Sequence, residues 1–131
     1  MAMNKNIYLA LAIIVIVLTA IGVYAFSSYK TTIMVKPLKV APINGKYELK
    51  VKIYVNYGPF GGTHPLSSAD VWLYLNGKFY NQSLTNSQGE VIFYVPPGNY
   101  TILFTVFHIT KNVTVNNSTE VILDYAYLRP T

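Results

Sequence analysis

The chain has no cysteine and few charged residues. Of its 131 residues, 11% are charged and 52% are hydrophobic. No disulfide can therefore cross-link the fold, and its stability must come from packing. The ten Lys and Arg residues give a net charge of +5, but they are scattered singly and form no basic patch, so we predict no nucleic-acid partner.

Residues that could support catalysis are also sparse. The acids and histidines are separated along the chain: Glu48, Asp70, Glu90, Glu120, Asp124, His64 and His108. No nucleophile elbow, phosphate-binding glycine loop or cluster of metal ligands occurs among them. We therefore predict that the protein is not an enzyme and has no catalytic, cofactor or metal site. A distant pairing such as His64 with Asp70 stays open.

One long hydrophobic run, Ile7–Phe26, differs from the rest of the chain because it carries no charge. An α-helix of about 20 residues spans about 30 Å, the thickness of the hydrocarbon core of a bilayer. Apolar residues occupy all sides of this helix, which predicts lipid or copies of itself around it. A signal peptide cleaved after Ala25 is the alternative, and the length of the run weakens it. We divide the chain into a helical segment, 1–30, and a β domain, 31–131.

After Lys30 the hydrophobic pattern acquires the period of β-strands. Leu49, Val51, Ile53 and Val55 alternate with polar residues, which predicts a strand with one buried face. Further strands are expected over 31–40, 70–75, 78–84, 90–95, 99–107, 109–115 and 120–127, with turns at 41–46, 76–77 and 86–89 and a loop at 57–68. Pro37 should confine the first strand to a sheet edge. Short strands at this spacing predict an all-β, Ig-like antiparallel sandwich preceded by one N-terminal hydrophobic α-helix.

Several of the predicted strands are apolar on both faces. The residues expected to point outward include Trp72, Tyr74, Ile92, Tyr94, Leu103 and Phe107. Two explanations stay open: a small error in the assigned register, or outer faces that contact neighbouring copies of the chain.

The segment 65–104 carries a recognisable pattern. It contains a strand, a Thr-Asn-Ser-Gln-Gly turn at 85–89, a second strand and a Pro-Pro-Gly-Asn-Tyr-Thr motif at 96–101. In this pattern it resembles carboxypeptidase-regulatory-like and transthyretin-like β-sandwich domains. Gly89 and Gly98 are expected to supply unusual backbone angles. The resemblance implies a spacer, adhesive or assembly module and no particular activity.

Sequons of the form Asn-X-Ser/Thr are enriched in the β domain, about threefold over chance. They occur at Asn81, Asn99, Asn112, Asn116 and Asn117. N-linked glycans at these positions would place the domain outside the cell. Asn112 and the overlapping pair Asn116/Asn117, of which one is expected to be used, are the best candidates because they flank a turn. The alternative is that Asn and Thr are simply common in strands and turns.

An uncharged N-terminal helix joined through residues 27–30 to one Ig-like domain resembles the architecture of archaeal type IV pilins. The resemblance implies a homopolymeric filament for adhesion, with helices that leave the membrane to form its core and β domains that form its surface. In that core, Leu11, Ile14, Leu18 and Ile21 have the spacing of one packing seam. The sequence lacks a clear pilin cleavage site and the Glu that many bacterial pilins carry near the start of the helix. The alternative is a single-pass, membrane-anchored extracellular sandwich that binds a ligand or belongs to the cell envelope.

Two signals disagree about the side of the membrane on which the β domain lies. Lys30, Lys36, Lys39 and Lys46 follow the helix, whereas Lys5 precedes it, and the positive-inside rule would keep the β domain in the cytoplasm. The sequons and the sparse charge indicate the outside. We predict the cell surface, because whole domains translocate largely regardless of charge.

Overall fold

The computed structural model describes residues 5–27 and 29–128. In these residues one α-helix precedes nine β-strands, and the fold is mostly β. The elements are α1 (Lys5–Ser27), β1 (Thr32–Pro37), β2 (Tyr47–Asn56), β3 (Thr63–Pro65), β4 (Asp70–Leu75), β5 (Lys78–Leu84), β6 (Glu90–Val95), β7 (Gly98–Phe104), β8 (Ile109–Val115) and β9 (Thr119–Ala126). The prediction of a mostly β fold preceded by one helix is confirmed.

The strands form two sheets. In the first, the order is β1-β9-β2-β3, and β6 also pairs with β2; in the second, it is β5-β4-β7-β8. Among the described strands, β2 and β9 run parallel, with Leu49 opposite Thr119, and the other pairs are antiparallel. The prediction of an antiparallel sandwich is therefore wrong for this one pair. Turn patterns reveal hairpins between consecutive strands, but they carry no information about pairing between distant segments.

The hydrophobic core is built from both sheets. The alternation predicted for β2 is confirmed, since Leu49, Val51, Ile53 and Val55 are buried and their neighbours are not. The largest fully buried side chains in the core also include Leu73 from β4, Tyr100, Ile102 and Phe104 from β7, Val115 from β8, and Val121 and Leu123 from β9. The strands β2, β4, β6 and β7 thus bury every second side chain in the core, whereas β1, β3 and β5 bury none.

Turn chemistry sets the local boundaries. Asn76 and Gly77 have φ of 51° and 81° and connect β4 to β5. Asn44 and Gly45 have φ of 53° and 75° between the bridged residues Ile43 and Lys46. Positive φ at both central residues is the signature of a type I′ hairpin turn, for which Asn-Gly is the preferred sequence. Both turns lie where the sequence predicts them.

Three details differ from the predictions. A short strand, β3, lies inside the predicted loop 57–68, and β7 ends at Phe104 because a turn in which His108 has a φ of 55° follows it. Gly98 does not adopt positive φ, so that expectation is wrong. A side chain at Gly98 would instead meet Leu75 Cδ1 at 2.9 Å, which means that close packing requires its small size.

Pro37 and Tyr100 each stabilise a strand boundary. Pro37 ends β1, which lies at the edge of the first sheet as predicted. The Tyr100 hydroxyl donates a hydrogen bond to the Pro96 carbonyl oxygen at 2.5 Å. Burial and the neighbouring Tyr80 raise the pKa of Tyr100 to about 12, so this hydroxyl remains a donor at neutral pH.

Gly89 lies where β2 changes partner from β6 to β3. The Ile53 amide donates to the Gly89 carbonyl oxygen at 2.8 Å, and the Leu66 amide donates to the Ile53 carbonyl oxygen at 3.0 Å. Gly89 has a φ of +74°, and an added Cβ would lie 2.5 Å from the Ile53 oxygen. Only a residue without a side chain fits this close approach of two backbones.

We predict that Gly89→Ala destabilises the domain more than Gly77→Ala does. Gly77 has a similar φ of +81°, but nothing lies within 4 Å of an added Cβ. The Gly77 variant should lose about 1–2 kcal/mol through the left-handed backbone alone. The Gly89 variant should lose about 2–5 kcal/mol, since the clash adds to that cost. Urea unfolding followed by Trp72 fluorescence measures both losses, and equal losses would contradict the clash.

Candidate functional site

The helix α1 exposes its apolar side chains on all sides. Every described side chain from Lys5 to Ile21 is exposed, and the large hydrophobic ones among them are 48–67% exposed. Soluble proteins rarely leave a contiguous apolar surface of this kind uncovered. The exposed apolar surface of α1 is therefore the most unusual surface of the described residues and a candidate for contact with another molecule.

The residues predicted to form a packing seam lie within this surface. Leu11, Ile14, Leu18 and Ile21 are all exposed, and the other large residues of α1 are exposed to a similar degree. The exposure of α1 therefore does not distinguish one side of the helix as a seam. Within residues 5–27 and 29–128, no helix qualifies as long and apolar enough to cross a membrane.

The chain after α1 is fixed directly to the sheets. Tyr29 is only 6% exposed; its hydroxyl donates to the Asn56 carbonyl oxygen and accepts a hydrogen bond from the Leu128 amide. The Thr31 hydroxyl accepts from the Ala126 amide at 3.0 Å. Two peptide units, at most about 7.6 Å, separate the end of α1 at Ser27 from Tyr29. The helix is thus joined to the ends of β2 and β9 by a very short connection.

Aromatic side chains surround this end of the domain. Phe60 is 91% exposed, and the Tyr57 ring contacts those of Tyr127 and His64 at centroid distances of 5.3 and 5.8 Å. The suggested pairing of His64 with Asp70 is not formed. His64 Nε2 instead lies 3.0 Å from the Gly61 carbonyl oxygen, and Asp70 accepts a hydrogen bond from Trp72. Among the described residues, no three acids or histidines come together as a metal site.

An ion-pair network crosses the outer face of the first sheet. Lys36 lies 3.2 Å from Glu120, and Lys52 lies 3.6 Å from Glu120 and 3.4 Å from Glu90. The Glu120 side chain is only 6% exposed. Burial by itself would lower the pKa of Lys52, but Glu120 and Glu90 outweigh it and raise that pKa. In the sequence these acids look isolated, because only the pairing of β1, β9, β2 and β6 brings them beside the lysines.

Asp124, on β9, has an incompletely satisfied carboxylate. Its Oδ1 is buried and has no hydrogen-bond partner among the described residues. Burial raises the pKa of Asp124, although a hydrogen bond with Asn56 lowers it in part. An unsatisfied buried carboxylate costs free energy when it is ionised.

The second sheet presents an uncovered surface that we call the four-strand outer face. It consists of the outward residues Asp70, Trp72, Tyr74, Phe79, Gln82, Leu84, Asn99, Thr101, Leu103, Thr110, Asn112 and Thr114. Phe79 makes edge contacts with Trp72 and Tyr74 at 5.7 and 6.0 Å between ring centroids. The Trp72 indole nitrogen donates to Asp70 Oδ2 at 2.8 Å.

The register on which this surface depends was assigned correctly from the sequence. Val71 and Leu73 are buried, while Trp72 and Tyr74 are half-buried on the outside. Ile92 and Tyr94 are exposed on the first sheet. Phe107, by contrast, is partly covered within the chain, because it stacks on Tyr125 at 3.8 Å. A register error is thus no longer an explanation for the apolar outer faces.

All five sequon asparagines are exposed, but their surroundings differ. Asn81 lies on the edge strand β5, and Asn116 and Asn117 lie in the turn before β9. Asn99 and Asn112 are diagonal neighbours on the paired strands β7 and β8. The Ser118 hydroxyl of the Asn116 sequon is buried and accepts a hydrogen bond from the Glu48 amide.

A shallow depression adjoins Asn99 and Asn112. Its volume is about 350 Å³, and its lining includes Asn76, Gly77, Thr101 and Thr114. This volume lies at the low end of the range of small-molecule sites. The amides and hydroxyls of its rim can donate and accept hydrogen bonds without carrying charge.

No family model matches the chain, and no curated protein sequence is similar enough to count as a match. Function must therefore be argued from these surfaces alone.

We predict that Asp124→Asn stabilises the domain at neutral pH but not in acid. The folded state holds the Asp124 proton more tightly than the unfolded state, because burial raises its pKa above the usual 3.8. The free energy of unfolding of the wild-type protein should therefore fall as the pH rises from 3.8 through the raised pKa. The Asn variant has no carboxylate at this position, so its free energy of unfolding should not show the decrease that Asp124 causes. Urea midpoints at pH 3, 5 and 7 measure the difference. A stability gain that is the same at pH 3 and pH 7 would show that ionisation of Asp124 carries no penalty.

Proposed function

We propose that the protein is a structural subunit of an extracellular, type IV pilus-like filament used for adhesion. The observation that carries the proposal is the exposed apolar surface of α1. Fully burying one Leu, Ile or Val side chain contributes about 1.5–3 kcal/mol, so a helix exposed on all sides gains strongly from packing against sister helices. Before assembly, lipid would cover the same residues, and α1 would reside in the membrane.

The short connection after α1 supports a lattice role. The hydrogen bonds of Tyr29 and Thr31 fix the chain at the ends of β2 and β9. A module that searches for distant ligands gains reach from a long flexible linker. In a filament, a short junction instead keeps each β domain close to the end of its own helix, where it can cover the core.

The β domain would form the outer surface of the filament. We propose an Ig-like or transthyretin-like sandwich, and the Tyr100 hydroxyl bound to the backbone four residues upstream is similar to the tyrosine corner of Ig-like domains. Exposed Ile92 and Tyr94 offer apolar contacts to neighbouring copies. N-linked glycans on the sequons would cover much of the remaining surface.

A second candidate is a single-pass, membrane-anchored extracellular module. Exposed Phe60, Tyr57 and Tyr127 at the helix end of the domain favour it, because aromatic side chains concentrate at the membrane–water interface. In this candidate the chain stays monomeric in the membrane. Shearing of native cells separates the two, since a filament is released by shear and an anchored module leaves only with detergent.

Leu18→Asp is expected to abolish filaments while leaving the β domain folded. A carboxylate in the middle of an apolar helix costs about 2.5–3.5 kcal/mol in lipid, and its cost recurs in every subunit of a helical core. Electron microscopy of sheared material measures filaments, and the emission of Trp72 reports on the folded domain. Leu18→Ile is the matched control, because it keeps the position apolar and should preserve filaments. Normal filaments from the Asp variant would refute the proposed core.

We also expect glycans on exposed sequons. Peptide mass spectrometry of the native protein should find modified Asn at Asn112, the best candidate, and at further sites among Asn81, Asn99, Asn116 and Asn117. Unmodified Asn at all five positions would remove this support for an extracellular location. It would not decide whether filaments form, which electron microscopy of sheared material tests separately.

A further inference from the structure

The four-strand outer face combines aromatic rings with two neighbouring sequons, and the Thr of each sequon lies opposite the Asn of the other. Thr101 is the third residue of the Asn99 sequon, and it lies opposite Asn112; Thr114 is the third residue of the Asn112 sequon, and it lies opposite Asn99. Thr101 Oγ1 donates to Asn112 Oδ1 at 2.8 Å, and Thr114 Oγ1 donates to Asn99 Oδ1 at 2.9 Å. Each amide oxygen is held by a threonine, which leaves the amide nitrogen, the atom that carries an N-linked glycan, for solvent.

We propose that the N-linked oligosaccharides carried by Asn99 and Asn112 lie across the four-strand outer face and cover Trp72 and Tyr74. This inference rests on the glycosylation in the proposed function. In the modification, an Asn amide nitrogen forms a bond to the anomeric carbon of a lipid-diphosphate-linked oligosaccharide. The carbon–oxygen bond to the diphosphate breaks with its electron pair, and the amide loses one proton to solvent.

The register brings the aromatic rings within reach of the glycans. Tyr74 lies opposite Thr101, which in turn lies opposite Asn112. Asn112 is thus two strand spacings, about 9.6 Å, from Tyr74. Asn99 is diagonal to Tyr74 across one strand pair, about 7–8 Å away. Trp72 occupies the next outward position on β4 and contacts the same Phe79 ring as Tyr74 does.

The chemistry of the face suits a saccharide. The faces of a sugar ring carry C–H groups that pack against the negative face of an aromatic ring, and its hydroxyls exchange hydrogen bonds with amides and hydroxyls. Between the asparagines and the aromatic rings lie Thr101 and Leu103, which are uncharged. The depression beside Asn99 and Asn112 gives the first sugar residue a place next to the sheet.

The same geometry argues against a second copy of the chain as the occupant. A glycan on either asparagine would stand within about 10 Å of Tyr74, so a flat protein surface could not approach the rings without displacing it. The exposed apolar residues of the other sheet, Ile92 and Tyr94, carry no sequon and remain free for contacts between copies.

Trp72 reports directly on this surface because it is the only tryptophan of the chain. We would compare acrylamide quenching of Trp72 in the native glycosylated chain and in the same chain produced without glycans. The amino-acid sequence is identical in the two samples, so no substitution changes the packing around Trp72. We expect the Stern–Volmer constant to rise at least about twofold without glycans, because the half-buried indole loses its cover.

Site-specific variants assign the effect. Asn99→Gln with Asn112→Gln, expressed where glycans are added, should show the high quenching of the unglycosylated chain. Asn81→Gln is the matched control; it removes a glycan from the edge strand β5 and should keep quenching low. The unglycosylated form of each variant corrects for any change in packing caused by the substitution itself.

Three results would overturn the inference: equal quenching with and without glycans, unmodified Asn99 and Asn112 by mass spectrometry, or protection of Trp72 that appears only when filaments form. The last would assign the surface to a second copy. Quenching is therefore measured on dispersed chains and again on assembled filaments, and loss of filaments would refute the proposed function without affecting the measurement on dispersed chains.

Discussion

The structure depends on β2, which is hydrogen-bonded along both edges and buried on one face. It pairs with β9 on one side and with β6 and then β3 on the other. With no disulfide in the chain, the core contacts of Leu49, Val51 and Ile53 must hold the first sheet against the second. The exchange of partners at Ile53 requires Gly89, where two backbones meet without room for a side chain.

The two outer faces of the domain differ in their chemistry. On the first sheet, Glu120 and Glu90 form ion pairs with Lys36 and Lys52. On the second sheet, aromatic rings and the hydrogen-bonded side chains of Asn99, Thr101, Asn112 and Thr114 make up most of the outer face, and Asp70 accepts a hydrogen bond from Trp72 at one end of it. Together with the exposed helix, these surfaces are the observations that support the proposed filament subunit, in which lipid, sister chains and sugar would cover them.

Much of this arrangement could be predicted because it is local. The Asn76-Gly77 turn identified the β4–β5 hairpin to the residue, and period-two alternation placed Trp72 outside and Leu73 inside. Prediction failed where the cause was not local. Gly98 was expected to have an unusual backbone angle. The position instead requires glycine because the Leu75 side chain packs against it. The ion-pair network was missed because Lys36 and Glu120 meet only through the pairing of β1 with β9.

The sequence alone determined the apolar helix, the number and spacing of most strands, and the five sequons, since hydrophobic period and turn residues act over a few positions. Only the tertiary structure decided that β2 and β9 run parallel, that Thr101 lies opposite Asn112 and Thr114 opposite Asn99, and that Asp124 Oδ1 is buried with no partner among the residues that the structure describes. Each of these follows from which strands become neighbours. That choice is made by burial of the whole core and is not contained in any short stretch of chain.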